Sequence, residues 1–318
     1  MQKKKLDVDK MAKNFLKKCQ QLPKISLAVV HPCSQDSLNG AVEAAQLGLV
    51  EPKLIGPEKK IRELAEQCGI NIEPYEFINV PHSHASAERA ITFVHEGACD
   101  AIMKGSIHTD ELMRAVIKKD TGLRTGRRIS HVFVMAMEKF HKPFIVTDAA
   151  ININPDFMTK RDILQNAIDL VHVLDMSLVP KVAILSAVET INPEIQSTID
   201  AACLCKMADR GQILGAIVDG PFAYDNVISL HAAKTKNITS PVIGDVDIFL
   251  VPNLEAGNML SKQMVLLMGA LSAGMILGAK VPIILTSRAD GVRSRIGSCA
   301  IAVMMVNAKR LRQADTEI

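Results

Sequence analysis

Residues 25–30 read ISLAVV, an apolar run in which only Ser26 is polar, and residues 37–48 read SLNGAVEAAQLG, where apolar residues recur at helical spacing. A run of this length that is almost wholly apolar is typical of a strand that is buried on both faces, as strands in parallel sheets are. The segment that follows it predicts a helix crossing back over the sheet. This strand–helix unit decides the fold class, because similar units recur along the whole chain.

Seven further runs have the same apolar character: AIMKG (101–105), HVFVMAM (131–137), PFIVTD (143–148), KVAILSA (181–187), ILGAIVDG (213–220), VDIFLVP (246–252) and VPIILTS (281–287). Helical patterns lie between many of them: ASAERAITFVHEG (85–97), TKRDILQNAIDLVHVL (159–174) and STIDAACLCKMADRG (197–211). Apolar strands that alternate with helices predict an α/β fold built on buried parallel strands. The number of strand–helix units is larger than a single sheet usually contains, which predicts two domains.

The most polar junction in the chain is KKDTGLRTGRRIS, residues 118–130, which contains two glycines and five cations. It predicts a crossover between the domains. Because no other linker-like segment exists, we expect the chain to return to its first domain near the C-terminus. The predicted domains are residues 1–125 together with 276–318, and residues 126–275, with a cleft between them.

The composition excludes several classes of protein. Of the 318 residues, 48% are hydrophobic and 22% are charged, and the formal net charge is only +3. A disordered chain would have fewer apolar residues or a larger net charge. A nucleic-acid-binding protein usually has a concentrated basic face or stacking aromatics, whereas aromatics are 3% here. The seven cysteines are scattered without a CxxC pair, which predicts a cytoplasmic protein without a disulfide framework.

Two segments bear on membranes and targeting. The first eighteen residues contain seven lysines and no apolar core, so they predict a solvated opening helix and not a secretory signal. Residues 263–279 carry no charge, but they are too short to span a bilayer and contain three glycines. They predict a buried helix against a sheet, and no membrane association is expected.

In parallel sheets, ligands bind beyond the carboxyl ends of the strands, near helix N-termini that favour anions. Small, hydroxyl-bearing and cationic residues occupy such places at 105–106 and 286–288, with Arg114 one helix further on. They predict a site for a small anion. The motifs GxGxxG, GxxxxGK[ST], HExxH and GxSxG are absent. His82 and His84 lie in PHSHAS, which predicts solvated loop histidines and no metal site.

Longer strings resemble the phosphate acetyl/butyryltransferase family. They are MKGSIHTDELMRAV (103–116), TGRRISHVFVM (125–135), TDAAINI (147–153), DGPFAYDNVIS (219–229), VPNLEAGNMLSK (251–262) and LTSRAD (285–290). The likeness covers nearly the whole chain from about Ile25 onward, in the order of the family. SHVFVM, VTDAAINI and LSAVET are most similar to the butyryl branch and to acyltransferase segments fused to enoyl-CoA hydratases.

The resemblance implies the reaction acyl-CoA + phosphate ⇌ acyl phosphate + CoA. It also implies an isocitrate/isopropylmalate dehydrogenase-like fold, with two α/β/α domains around a cleft and usually a homodimer. No metal and no organic cofactor beyond the substrate CoA is expected. Acyl-CoA and phosphate are the expected partners.

By position, Ser287 and Arg288 match the catalytic Ser-Arg pair of the family, and Arg114 and Lys236 fall on residues that contact phosphate or CoA. A serine hydroxyl suits the oxyanion of a tetrahedral intermediate, and the planar fork of arginine suits phosphate. The residues expected to bind substrate are Arg114, Ser106, Lys236, Ser294 and Asn258.

One departure concerns the general base. Acetyltransferases of the family have an aspartate six residues after the arginine, where this chain has Ser294. Either Asp290 is the catalytic base, or a cationic pocket alone activates the thiol, whose ordinary pKa is about 8.5. Both remain open at this point.

Two other functions remain as alternatives. One is a metal-dependent dehydrogenase of the same fold, which would need acidic or histidine ligands and a nicotinamide site. The other is a non-catalytic module that senses CoA or acyl phosphate, as in segments appended to malic enzymes. Retention of Ser287, Arg288 and Arg114 favours catalysis.

Overall fold

A computed structural model describes residues 5–286 and 291–316 of the chain. Its strands are β1 Ile25–Val30, β2 Val50–Gly56, β3 Glu76–Asn79, β4 Ala101–Lys104, β5 Ser130–Ala136, β6 Phe144–Thr147, β7 Lys181–Leu185, β8 Ile217–Phe222, β9 Ile248–Leu250, β10 Leu271–Leu277 and β11 Ile283–Ile284. Its helices are α1 Val8–Cys19, α2 Gln35–Gln46, α3 Glu58–Cys68, α4 Ser83–His95, α5 Thr109–Val116, α6 Phe157–Leu174, α7 Gln196–Asp209, α8 Tyr224–Ile228, α9 Leu230–Thr235, α10 Leu254–Met268 and α11 Val292–Thr316. Strands and helices alternate, so the predicted α/β class is confirmed.

Contacts within the chain group it into two compact units. The middle unit comprises Arg128–Ser272, and the outer unit comprises Asp7–Arg127 together with the chain from Ala273 onward. The predicted domain boundaries, at 125/126 and 275/276, remain a prediction.

The strands of the outer unit lie in the order β3-β2-β1-β4-β11-β10. All neighbours from β3 to β11 are parallel. The side chains of Ile25 and Leu27, and of every later residue of β1, are fully buried. A central parallel strand is covered by helices on both faces, which explains why all residues of β1 except Ser26 are apolar.

The strands of the middle unit lie in the order β5-β6-β9-β7-β8. Its core contains edge-to-face aromatic pairs, with ring centroids 5.4 Å apart for Phe140–Phe144 and for Phe144–Phe249. This edge-to-face geometry is one of the arrangements that aromatic rings prefer.

The prediction of parallel strands is wrong at two places. β5 pairs with β6 and β10 pairs with β11 in antiparallel fashion. Seven residues separate β5 from β6 and five separate β10 from β11. A crossover to a parallel neighbour needs about a dozen residues or more, so these links permit only antiparallel pairing.

The prediction of a buried helix over residues 263–279 is also wrong. Helix α10 ends at Met268, Gly269 follows it in the left-handed conformation (φ +66°), and β10 begins at Leu271. A glycine in this conformation is a common end of a helix. Leu266 and Leu267 are 77% and 80% exposed, so this end of the helix is not buried.

The opening helix is confirmed. Asp7 caps α1 by accepting a hydrogen bond from the backbone N–H of Lys10 (2.9 Å), and the lysines of the helix are exposed. Across the described residues, no helix combines the length and apolar character that crossing a bilayer requires.

Candidate functional site

In the outer unit, three neighbouring parallel strands present their carboxyl ends at one edge of the sheet. β1 leads into His31, β4 leads into Gly105 and Ser106, and β11 leads through Leu285 into Thr286. This is the edge at which sheets of this type bind ligands. Two of the segments that resemble the acyltransferase family therefore meet at this edge.

Gly105 makes this edge possible. The backbone N–H of Gly105 donates to the carbonyl of Val30 (2.9 Å), and that of Ser106 donates to the carbonyl of His31 (2.8 Å). A Cβ atom at position 105 would lie only 2.4 Å from the Val30 oxygen and 2.6 Å from the His31 oxygen. Backbone atoms cannot yield as a flexible side chain can, so the KGS segment needs a glycine here.

Arg295 is a buried cation that sequence reasoning missed. It is only 2% exposed, and its Nη1 lies 2.6 Å from Thr286 Oγ1 and 3.5 Å from the carbonyl of Lys104. Its aliphatic stem fits against α2, where a Cβ atom at Gly40 would lie 2.5 Å from Arg295 Cδ. Arg295 therefore links the ends of β4 and β11. The sequence signal that could have found it is helical spacing: Arg295 precedes the buried residues Ser298 and Cys299 by three and four positions, so it lies on the same face of α11.

The structure places two predicted substrate residues on helices of this unit. Arg114 is in the last turn of α5, its side chain is 74% exposed, and its guanidinium is 3.9 Å from Asp110. An exposed pair of this kind is weak, so it does not prevent Arg114 from binding a ligand. Ser294 is in the first turn of α11, and its carbonyl accepts a hydrogen bond from Ser298 Oγ (2.8 Å). Ser287, Arg288 and Asp290, predicted to be catalytic, lie outside the described residues.

In the middle unit, the TDAAINI and NLEAGN segments pack against each other. Asp148 is 2% exposed and accepts hydrogen bonds from the backbone of Ala150 (2.9 Å) and the amide of Asn152 (2.6 Å). Asn258 Nδ2 is 3.4 Å from the carbonyl of Ala149. A Cβ atom at Gly257 would lie 2.8 Å from the carbonyl of Asp148. The glycine therefore lets α10 approach the end of β6 and positions Asn258 there.

Lys236 lies in a second cluster of the middle unit. Its Nζ is 3.1 Å from Glu189 Oε2 and 3.8 Å from Asp225 Oδ2. Glu189 also accepts a hydrogen bond from Asn226 Nδ2 (3.1 Å). The hydrogen bond with Lys236 is the main cause that lowers the pKa of Glu189. Glu189 belongs to the LSAVET string, and Asp225 and Asn226 belong to DGPFAYDN. The cluster therefore brings both strings next to Lys236, the lysine predicted to bind substrate.

The prediction of solvated loop histidines is confirmed for His82 and wrong for His84. His82 is exposed and lies just before α4, where its Nδ1 caps the helix by accepting from the backbone N–H of Ala85 (3.2 Å). His84 lies inside the helix with its Nδ1 2.6 Å from Glu111 Oε1. The helix begins earlier than expected because the imidazole of His82 supplies the capping acceptor more often given by Ser or Asp. Within residues 5–286 and 291–316, no three His, Cys, Asp or Glu side chains are arranged to hold a metal ion.

Replacing Gly257 with alanine is expected to destabilise the protein by about 1–3 kcal/mol, because the new methyl group overlaps the backbone of Asp148. The matched control is Gly297→Ala, also within a helix, where the added Cβ would lie 3.5 Å from Ala273 Cβ. Alanine is the better helix former, so this control is expected to be neutral or up to about 1 kcal/mol more stable. Urea unfolding of both variants measures the difference, and equal effects would contradict the packing role of Gly257.

Comparison with known proteins shows which family the chain belongs to. The sequence model of the family described as phosphate acetyl/butaryl transferase matches residues 84–303. The chain belongs to this family. It is 53% identical to the phosphate acetyltransferase of Rickettsia prowazekii, over 96% of this chain and 88% of that protein. It is 37% identical to the phosphate butyryltransferase of Clostridium acetobutylicum, over 92% of this chain and 96% of that protein.

Solved structures agree with this membership and with the expected fold. The branched-chain phosphotransacylase of Enterococcus faecalis matches with a TM-score of 0.76 and 28% identity, over 89% of this chain and 99% of that one. The 4-hydroxythreonine-4-phosphate dehydrogenase of Klebsiella pneumoniae matches with a TM-score of 0.51 and 13% identity, over 89% of this chain and 99% of that one. This chain thus shares its fold with both proteins, and the second likeness shows the fold alone.

Proposed function

We propose that this protein is a phosphate acyltransferase that catalyses acyl-CoA + phosphate ⇌ acyl phosphate + CoA with short acyl groups. The observation that carries the proposal is 53% identity to a phosphate acetyltransferase over 96% of the chain. The positions of the family segments at the carboxyl edge of the outer sheet support it, because this edge suits anionic substrates.

The chemistry assigns a role to each predicted residue except Asp290, which stays a candidate for the general base. Arg288 and Arg114 would hold phosphate, since a guanidinium fork matches two phosphate oxygens. Ser287 would donate a hydrogen bond to the oxyanion of the tetrahedral intermediate. Ser106, Ser294, Lys236 and Asn258 would contact phosphate or CoA. The Arg295–Thr286 hydrogen bond (2.6 Å) supports this assignment, because it anchors the residue that directly precedes Ser287.

The proposal includes no metal and no organic cofactor beyond CoA, a cytoplasmic location, and small-molecule partners rather than nucleic acid or membrane. It also includes a homodimer. An apolar strip on α10, formed by Met259, Leu266 and Leu267 at 65–80% exposure, supports the homodimer. Apolar surface of this kind often marks a protein–protein contact.

We expect phosphate-dependent release of CoA from acetyl-, propionyl- and butyryl-CoA, unchanged by EDTA. Thiol release from each thioester, measured with and without phosphate, tests this. Absence of release with every thioester would reject the enzyme, and CoA binding without turnover would favour a sensing module. Loss of activity on chelation, restored by Mg²⁺ or Mn²⁺, would support the dehydrogenase alternative.

The acyl-chain preference stays a prediction. The strings SHVFVM and VTDAAINI predict butyryl-CoA to be at least comparable to acetyl-CoA. The overall identity is higher to the Rickettsia acetyltransferase (53%) than to the Clostridium butyryltransferase (37%). The ratio of kcat/KM for butyryl-CoA to kcat/KM for acetyl-CoA decides between a butyryl and an acetyl preference. Activity confined to acetyl-CoA would contradict the prediction.

A further inference from the structure

Glu189 occupies a fixed position beyond the end of β7 in the middle unit. It lies in the loop between β7 and α7, and its side chain is 25% exposed. Its Oε2 accepts a hydrogen bond from Nδ2 of Asn226 (3.1 Å), a residue of α8 that is fully buried. A fully buried side chain is surrounded by closely packed atoms, which hold it in a single conformation. Asn226 therefore fixes the carboxylate of Glu189 from the side of the protein interior.

Glu189 in turn holds the ammonium group of Lys236. The same Oε2 accepts a hydrogen bond from Lys236 Nζ (3.1 Å), whereas Asp225 Oδ2 lies at 3.8 Å, beyond hydrogen-bonding distance. The Lys236 side chain is 37% exposed, so a ligand in solution can reach it. An ammonium group has three N–H donors, and the contact with Glu189 uses only one of them. Lys236 thus keeps donors for a ligand while its position is fixed.

This cluster lies at the edge of the sheet where an anionic substrate is expected. β7 runs parallel to β8 and β9, so their carboxyl ends meet at one edge. Glu189 follows β7, α8 follows β8, and Asn258, also predicted to bind substrate, follows β9. Parallel sheets bind ligands at this edge. The Glu189–Lys236 pair therefore belongs to the ligand-binding edge of the middle sheet.

A lysine that is held before the substrate arrives binds it more tightly than a mobile one. A free lysine side chain has many rotamers, and their loss on binding costs conformational entropy. The hydrogen bond to Glu189 removes that cost from the binding step. The Glu189 carboxylate also repels an anion, but a phosphate would bind on the far side of the ammonium, where solvent screens the repulsion. The holding effect is therefore expected to prevail.

We propose that Glu189 is a positioning residue, which holds the ammonium group of Lys236 in place to bind a phosphate group of a substrate. This inference rests on the proposed function. The phosphate group belongs either to free phosphate or to CoA, and both present the same kind of oxygen to Lys236. Glu189 acts only through Lys236 and makes no contact of its own with the substrate. Glu189 thereby links the LSAVET string to substrate binding.

The test compares Glu189→Ala, Lys236→Ala and the variant that carries both substitutions. We expect Glu189→Ala to raise the KM for CoA or for phosphate by about 3- to 10-fold, the range for immobilising one flexible side chain on binding. Its kcat should stay within twofold. Lys236→Ala should raise the KM for the same substrate by at least as much. Because Glu189 acts through Lys236, the double variant should match Lys236→Ala and not add the two losses.

Two further variants are controls for this test. Glu189→Gln keeps an accepting oxygen but loses the charge, so its KM should lie between those of the unmodified protein and Glu189→Ala. Asp209→Ala removes the exposed partner of Lys206 in the same unit, 2.7 Å away, and should leave both KM values within twofold. The melting temperature of each variant, measured alongside, confirms that it is folded.

A KM that rises less than threefold in Glu189→Ala, or that falls because the carboxylate competes with the substrate for Lys236, would overturn the proposal. Additive losses in the double variant would do the same. If Lys236→Ala leaves both KM values unchanged while turnover persists, neither residue takes part in substrate binding, although the acyltransferase stands. Absence of turnover in the unmodified protein overturns the acyltransferase. The Kd values for CoA and phosphate, measured by titration calorimetry in the same variants, then still test the pair.

Discussion

Arg288→Lys is expected to lower kcat for phosphate-dependent CoA release by about 100-fold or more, with little change in melting temperature. A lysine keeps the charge but cannot form two parallel hydrogen bonds to a phosphate. The loss should be comparable to the removal of one transition-state donor. The measurement is kcat together with the melting temperature of the purified variant.

The control for this variant is Arg293→Lys. Arg293 lies five residues further on, at the start of α11, where its guanidinium contacts Asp9 at 2.5 Å in a pair about 70% exposed. We expect kcat of this variant to stay within threefold. If Arg288→Lys also keeps kcat within threefold and instead lowers the melting temperature, Arg288 forms a structural salt bridge with Asp290.

Lys160→Met is expected to destabilise the protein by about 3–5 kcal/mol. Lys160 on α6 and Asp200 on α7 form an ion pair of 2.6 Å in which both side chains are only 6% exposed. Gln196 Nε2 donates a further hydrogen bond to Asp200 (2.9 Å). Removal of the lysine would leave a carboxylate buried without its counter-charge, which is costly in a medium of low dielectric constant. The free energy of unfolding in urea measures the effect.

Two variants test this interpretation of the ion pair. The double variant Lys160→Met/Asp200→Leu removes both charges and is expected to recover most of the lost stability. Lys206→Met breaks the exposed pair with Asp209, at 2.7 Å and more than 60% exposure, and should cost less than about 1 kcal/mol. Equal losses in Lys160→Met and Lys206→Met would show that burial does not govern the pair.

Three strands of the outer unit, β1, β4 and β11, could be predicted from the sequence, whereas β2, β3 and β10 could not. β1 and β4 lie between parallel neighbours, and Ser26 and Lys104 are their only polar residues. β2 contains Glu51 and Pro52, and β3, at the edge of the sheet, is partly exposed along its length. The end of α10 and β10 form one uncharged stretch, residues 263–279, in which no polar segment marks where the helix ends and the strand begins.

The family, the reaction class and the candidate residues Ser106, Arg114, Lys236 and Asn258 came from the sequence, because short motifs keep the residue types that the chemistry requires. Only the tertiary structure revealed Arg295. It contacts the carbonyl of Lys104, 191 positions earlier in the chain. The sequence does not distinguish a buried arginine from an exposed one, because the role of the side chain depends on the distant groups that surround it. Folding alone brings those groups together.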